Sequence, residues 1–443
     1  MFETLKTPVM GLTKRLLKRD FSGNTGTALK NSIYDFSKTG VAKVGSLIFT
    51  IILARLLLPE TFGLYSLALS TIMIFAALSN LGIGQTLVKF LSSSKSEQKS
   101  RDYFAYLFRL RMVLTLVSVG FLFLVAHPLA YIYYDKPIFL ALLAGSLYIL
   151  FSGLASIFYS VYQSSNNFRK GLFMETTLQI SRVVLVPIII LSLIDSISTE
   201  ALLFSIYLAL SISFLFSLIY IRYGIKKEIS FFSLKSKKLR KSEKKTLNLF
   251  VIALASIAVS KALFGYIDMF ILGRFVDAEF IGFYRAAFIL VGSAAPLITF
   301  SGALFPIFSR IKGRQLLRGM KKALFVTNLV AIPAVVFTVL VAPFIVRLVF
   351  GVEYLESITI LRLFAILLLI LPLIGIYSSF LISQNKPKKV AQSMFIAIIL
   401  NVILNYVFIV NLLQYGQLQA VYGAAIATII SNLVYLILLV VRR

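Results

Sequence analysis

The sequence predicts an all-α integral membrane protein of about twelve transmembrane helices, built as two parallel six-helix bundles. Three observations carry that expectation. Apolar runs have the length of a bilayer core, basic residues crowd alternate loops, and one stretch repeats at half the chain length.

The 443-residue chain is 59% hydrophobic, with a mean hydropathy of +0.92. Its apolar runs are about 20 residues long, enough to cross the hydrocarbon region as helices. In order they are 38–58, 63–89, 104–126, 138–162, 172–194, 201–222, 248–273, 280–307, 323–347, 357–382, 390–411 and 420–441. Ahead of them, residues 1–36 form a basic tail without the apolar core and small-residue cleavage site of a signal peptide. Within it, Thr4–Arg19 mixes Leu, Val and Met with Lys and Arg, which fits an amphipathic helix on the inner leaflet or a mobile tail. The boundaries that follow are 37–222 for the first bundle, 223–247 for a basic linker and 248–443 for the second bundle.

A formal charge of +28 would suggest nucleic acid in a soluble chain, but its placement argues against that partner. Lys and Arg fill the N-terminal tail, the loops 91–102, 163–171, 223–247, 308–322 and 383–389, and the end at Arg442–Arg443. The intervening loops hold Glu60, Asp135, Asp195, Glu200, Asp277, Glu279, Glu353 and Glu356. By the positive-inside rule both termini are cytoplasmic, and the basic face attracts anionic lipid. With no Cys and one His, the chain has no disulfide, thiol chemistry or metal cluster to offer.

The repeat is specific. Ile51–Ala68 and Phe270–Ala287 align without a gap, 219 positions apart, sharing Arg55/Arg274, Glu60/Glu279, Gly63/Gly282 and Tyr65/Tyr284 among seven identities in eighteen. Tyr159-Ser160, Ser165, Asn167 and Lys170 return as Tyr377-Ser378, Ser383, Asn385 and Lys388. The end of helix three (Leu124–Pro128) also echoes that of helix nine (Leu340–Pro343). Six helices per half is an even number, so both halves enter from one side and their pseudo-two-fold axis follows the membrane normal. Topology puts Glu60, Gly63, Tyr65, Arg274, Glu279, Gly282 and Tyr284 on outer hairpins, as gate or hairpin residues.

A cation at mid-membrane is costly and points to an interior cavity. Lys261 and Arg182 lie far from both ends of their helices and are the first candidates. Arg55, Arg285 and Arg362 join them as cavity candidates, although, like Arg274 and Arg347, they lie within snorkelling reach of the outer headgroups. Lys38, Lys43, Lys89, Arg109 and Arg111 are expected to snorkel at the inner face. Asp268, seven residues from Lys261 on the same helix face, and Glu175 are the acids at membrane depth. The excess of cations favours an anionic ligand. His127, at the outer end of helix three, fits an interfacial residue better than a proton relay. Pro187, Pro296, Pro306, Pro333 and Pro372 permit kinks inside helices.

The stretch Ala54-Arg55-Leu56-Leu57-Leu58-Pro59-Glu60-Thr61-Phe62-Gly63-Leu64-Tyr65-Ser66 resembles the first-loop signature of Wzx-like polysaccharide flippases, A-R-x-L-G-P-E-x-[FY]-G-x-Y. These form the polysaccharide branch of the multidrug/oligosaccharidyl-lipid/polysaccharide exporter superfamily. Asn80-Leu81-Gly82-Ile83-Gly84 with Val88-Lys89-Phe90 is similar to the end of their helix two. Ile267-Asp268, Gly273, Ile281-Gly282-Phe283-Tyr284 and Ala286-Ala287 resemble their helices seven and eight. Leu58 departs from the pattern where the family often has Gly, which touches loop geometry more than chemistry.

The resemblance implies a V-shaped pair of bundles around a central cationic cavity. It implies alternating-access transfer of a polyprenyl-phosphate- or pyrophosphate-linked oligosaccharide to the outer leaflet of the cell membrane. No cofactor is implied beyond coupling to H+, Na+ or the membrane potential, with Asp268 and Glu175 as candidate carboxylates. Expected partners are the glycan lipid, anionic membrane lipids and other polysaccharide-assembly membrane proteins.

Three rivals remain. A multidrug or cation antiporter of the same superfamily would carry more acid in its cavity. A facilitator-superfamily carrier would show a G-x-x-x-D-R-x-G-R-type stretch, which Leu91–Asp102 lacks. A membrane-embedded glycan polymerase or ligase would need a large outer loop or clustered carboxylates and histidines.

Overall fold

The computed structural model describes residues 23–298, 308, 313–384 and 386–442. Thr4–Arg19 and Pro306 lie outside them. Among the described residues every regular element is helical. The first, α1 (Gly23–Asn80), is two legs, 23–57 and 59–80, broken at Leu58 ahead of Pro59. Leu58 has φ 59° and ψ 171°, a conformation that suits Gly and strains a branched side chain. The departure from the family pattern therefore falls at the one hairpin residue where Gly would relieve strain. The break folds the chain back, so that Phe49 and Thr50 of one leg face the same cavity as Tyr65 and Leu69 of the other.

Helix two, expected to run unbroken to residue 89, stops at Asn80. Leu81 (φ 40°) and Gly82 (φ 75°) intervene before α2 (Ile83–Ser93) resumes. Two contacts explain the break. A Cβ on Gly82 would come within 2.4 Å of the Leu254 Cβ, so only Gly lets these backbones approach. Arg111 donates from Nη1 to the freed Ser79 carbonyl at 2.7 Å. Arg111 is thus only 5% exposed, not snorkelling at the inner face as expected.

The remaining helices are α3 (Glu97–His127), α4 (Phe139–Ser164), α5 (Phe168–Leu193), α6 (Thr199–Glu228), α7 (Lys241–Phe275), α8 (Ala278–Ile298) and α9 (Gly313–Val349). They continue as α10 (Ser357–Phe364), α11 (Leu367–Ser383), α12 (Pro387–Leu413) and α13 (Gln417–Val441), with α10 and α11 making one crossing. Eleven described stretches are long and apolar enough to cross a membrane; the first, Ile33–Ser93, contains the hairpin and supplies two crossings. The protein is a multi-pass membrane protein of two six-helix lobes. Exposed Leu124, Phe337 and Leu340 suit a lipid-facing surface.

Helix invades the basic linker from both sides, since α6 runs to Glu228 and α7 begins at Lys241. The turn between them is fastened to the first lobe. Phe232 packs edge-on against Phe104 with centroids 4.8 Å apart, and Arg101 Nε donates to the Leu234 carbonyl at 2.9 Å. His127 sits edge-on to Tyr131 and Phe139.

Candidate functional site: a cationic cavity beneath a two-fold seal

Between the lobes lies a cavity of about 140 Å³. Phe49, Tyr65, Tyr148 and Arg182 line it from the first lobe, Tyr266 and Arg285 from the second. Each element aims its residue by helical spacing: Arg182 lies seven residues past Glu175 on one face of α5, and Arg285 follows Tyr284 on α8. The Arg182 guanidinium stands 4.8 Å from the Phe49 ring centroid. Its Nε and Nη2 are buried without a hydrogen-bond partner among the described residues. Among the described residues no carboxylate lines the cavity. Buried guanidinium donors with nothing to hold call for an anionic acceptor.

Of the five cations expected here, the structure brings Arg182 and Arg285 together. The other three are elsewhere. Arg55 reaches the opposite lobe's backbone, its Nε donating to the Val349 carbonyl at 2.8 Å and its Nη2 to that of Leu348. Arg362 is exposed and donates to the Val339 carbonyl at 3.2 Å. Lys261 is exposed and has no hydrogen bond or ion pair among the described residues; it shares a helix face with Leu254, which packs on Gly82 of the first lobe. Tyr65, expected at the gate, lines the cavity and stacks on Tyr207 at 5.4 Å.

The duplicated motif closes one face of the molecule by reciprocal contacts. Arg55 bonds the carbonyls at the end of α9; its repeat mate Arg274 bonds the Tyr133 and Ile132 carbonyls after α3, at 2.8 and 3.2 Å. Tyr354 donates to the Ala54 carbonyl at 2.9 Å, and Lys136 donates to the carbonyl of Gly273, the mate of Ala54, at 3.0 Å. Burial lowers the pKa of the Lys136 ammonium against the pull of Asp277 and Asp135. At the centre the hairpins cross. A Cβ on Gly63 would stand 1.7 Å from the Ala278 carbonyl oxygen, and one on Gly282 would stand 2.1 Å from that of Pro59. Only glycine fits at either place. Glu60 and Glu279 take no part: both are exposed in the first turns of their helices, where an acid suits the helix dipole.

Asp268 does not face Lys261. It is 4% exposed and points into the second lobe, accepting from Tyr284 Oη at 2.8 Å, Asn405 Nδ2 at 2.9 Å and Thr428 Oγ1 at 2.5 Å. Nor does it pair with an Arg among the described residues. The oxygens Asn405 Oδ1 and Asn401 Oδ1 are buried without partners among the described residues. Glu175 occupies a separate pocket in the first lobe, accepting from Gln179 Nε2 at 2.6 Å. Sequence reasoning missed Asn401, Asn405 and Thr428. Asn in the middle of an apolar helix was the available signal.

With this geometry in view, the polysaccharide biosynthesis protein family model matches residues 28–312. The chain belongs to that family. The match spans the whole first lobe, both cavity arginines and both copies of the seal motif. No curated protein matches the chain by sequence. Among solved structures, the lipid II flippase MurJ in an inward closed conformation is similar at 17% identity, over 93% of this chain and 87% of that one, with a TM-score of 0.73. An inward-facing multidrug resistance MATE transporter is similar at 15% identity, over 92% and 97%, with a TM-score of 0.66. A transporter of the same superfamily from Pyrococcus furiosus, described by a binding pocket of reversed polarity, follows at 14%, over 94% and 95%, with a TM-score of 0.59. These likenesses establish the two-lobe, twelve-helix fold. The polysaccharide side of the resemblance read from Ala54–Ser66 agrees with the family match.

Proposed function

We propose that this polysaccharide biosynthesis family member is a flippase. It moves a polyprenyl-phosphate- or pyrophosphate-linked oligosaccharide from the inner to the outer leaflet of the cell membrane by alternating access. One observation carries the reading: Arg182 and Arg285 converge, with no carboxylate among the described lining residues, on a cavity between two lobes. A phosphate leaving water needs such compensation, while its lipid tail stays in the bilayer. The Gly63–Gly282 crossing then acts as the outer gate, because the basic loops orient the opposite face to the cytoplasm. Anionic lipids at that face, and other polysaccharide-assembly membrane proteins, are the partners this orientation suggests.

Coupling falls to Asp268. Its carboxylate and the spare oxygens of Asn401 and Asn405 are hard donors suited to Na+, and the carboxylate alone would serve a proton. The rival antiporter reading expects more acid and less base in the cavity; the described residues that line this one include two arginines and no carboxylate. The test is a proteoliposome assay of glycan-lipid flipping, run beside efflux of a cationic dye. Flipping without dye efflux is expected. Dye efflux without flipping would overturn the assignment.

A further inference from the structure

The first lobe holds a second pocket, its wall mainly apolar with a few polar side chains, that transport of a bare phosphate would not require. About 190 Å³ in size, it lies on the basic-loop side of the cationic cavity. Leu178 of α5 and Phe214 of α6 wall both spaces, so the two are neighbours across one pair of side chains. Its chemistry differs from that of the cavity. Glu175, Lys38, Tyr159, Ser152, Ser156 and Ser217 face it. Charge is balanced here, with one carboxylate and one ammonium, so the pocket selects no ion by sign.

What it offers is alternating hydrogen-bond capacity. Glu175 accepts one bond from Gln179 through Oε1, leaving Oε2 with no partner among the described residues. Ser152 donates to the Ile149 carbonyl at 3.2 Å and Ser217 to that of Met174 at 3.2 Å, so their oxygens keep lone pairs for incoming donors. Lys38 lies over the Tyr159 ring at 3.4 Å and has no carboxylate within ion-pair distance among the described residues, so its N–H groups are available to a ligand. Ser156 is held by Arg111 Nη2 at 3.3 Å, which fixes that wall. Several acceptors and a donor around a space of roughly six water volumes suit a ring bearing several hydroxyls.

We propose that this pocket is the subsite for the first sugar of the carried lipid, with Glu175 as its principal hydrogen-bond acceptor. The inference rests on the flippase reading. In a polyprenyl-linked glycan the first sugar is bonded directly to phosphate. Its ring must therefore lie beside whatever holds the phosphate, as this pocket lies beside Arg182 and Arg285. Glu175 becomes a specificity residue and leaves coupling to Asp268.

The test uses the purified full chain in detergent and two probes, farnesyl phosphate and a farnesyl phosphate carrying one hexose. Wild type should bind the hexose compound about tenfold more tightly, as one or two additional charge-assisted hydrogen bonds provide. E175A, and separately the S152A/S217A pair, should erase that increment without changing the affinity for farnesyl phosphate. R182A should weaken both probes. An increment that survives in both E175A and the serine pair overturns the subsite while leaving the flippase reading standing. Failure of wild type to bind either probe overturns both.

Discussion

The two lobes share a scaffold and differ where charge is concerned. Phe49 in α1 and Asp268 in α7 occupy matching places in the repeat, 219 residues apart. In the first lobe Phe49 lies under Arg182 of α5, and the pair faces the central cavity. In the second lobe Asp268 is enclosed by Tyr284, Asn405 and Thr428, and the helix that repeats α5 presents Asn401 and Asn405 instead of a cation. Both lobes thus offer a cation to the space between them, Arg182 from the first and Arg285 from the second, and the second also keeps the Asp268 carboxylate inside. The residues that stayed alike after duplication, Arg55/Arg274 and Gly63/Gly282, build the seal. Duplication preserved the seal, and divergence set Phe49 against Asp268 and Arg182 against Asn401 at matching places.

The largest expected effect comes from the cationic side. R182A or R285A should reduce glycan-lipid flipping by about tenfold to a hundredfold, the worth of charge-assisted hydrogen bonds to a desolvated anion. Retained flipping with both replaced would break the comparison. Making the lobes alike is the next test. F49D sets a carboxylate beside Arg182 and should cost about tenfold by occupying the guanidinium, whereas D268N should spare probe binding and remove the response of flipping to an imposed Na+ or pH gradient. A D268N protein that still follows the gradient would move coupling elsewhere.

A smaller effect is expected at the seal. G63A and G282A each force a Cβ into a carbonyl and should shift the lobes apart at a cost of about 1–3 kcal/mol. The two changes should be alike by symmetry. Because the chain has no Cys, paired labels on introduced cysteines would read that separation without background. Least is expected from L58G. Relieving its positive φ should raise the detergent unfolding temperature by the equivalent of about 1 kcal/mol. Asp277, its repeat mate, bonds Gln417 in the second hairpin, so D277G should gain nothing.

Much of the plan was legible along the chain because it depends on length, sign and spacing. Span lengths predict the crossings, and the repeated Arg, Gly and Tyr mark the hairpins. What stayed hidden depends on direction. Arg55, Arg285 and Arg362 all look alike as cations near helix ends, yet only Arg285 faces the cavity, while Arg55 and Arg362 bond backbone carbonyls. Arg111 read as a snorkelling residue because the break at Leu81–Gly82, whose carbonyl it caps, leaves no apolar gap in the sequence. Lys261 and Asp268 share a face by arithmetic, but α7 passes from a surface against the first lobe to one inside the second lobe's core.

By itself the sequence determined that this chain enters a bilayer twelve times in two like halves. Burying backbone in hydrocarbon permits only continuous helices, and their lengths and flanking charges are written residue by residue. Tertiary structure alone decided which charges meet. Arg182 finds Arg285 from another lobe, Asp268 finds Asn405 and Thr428 from two other helices, and Gly63 finds Ala278 across the two-fold. Those encounters depend on helix rotation and crossing, which side-chain packing fixes and linear spacing does not contain.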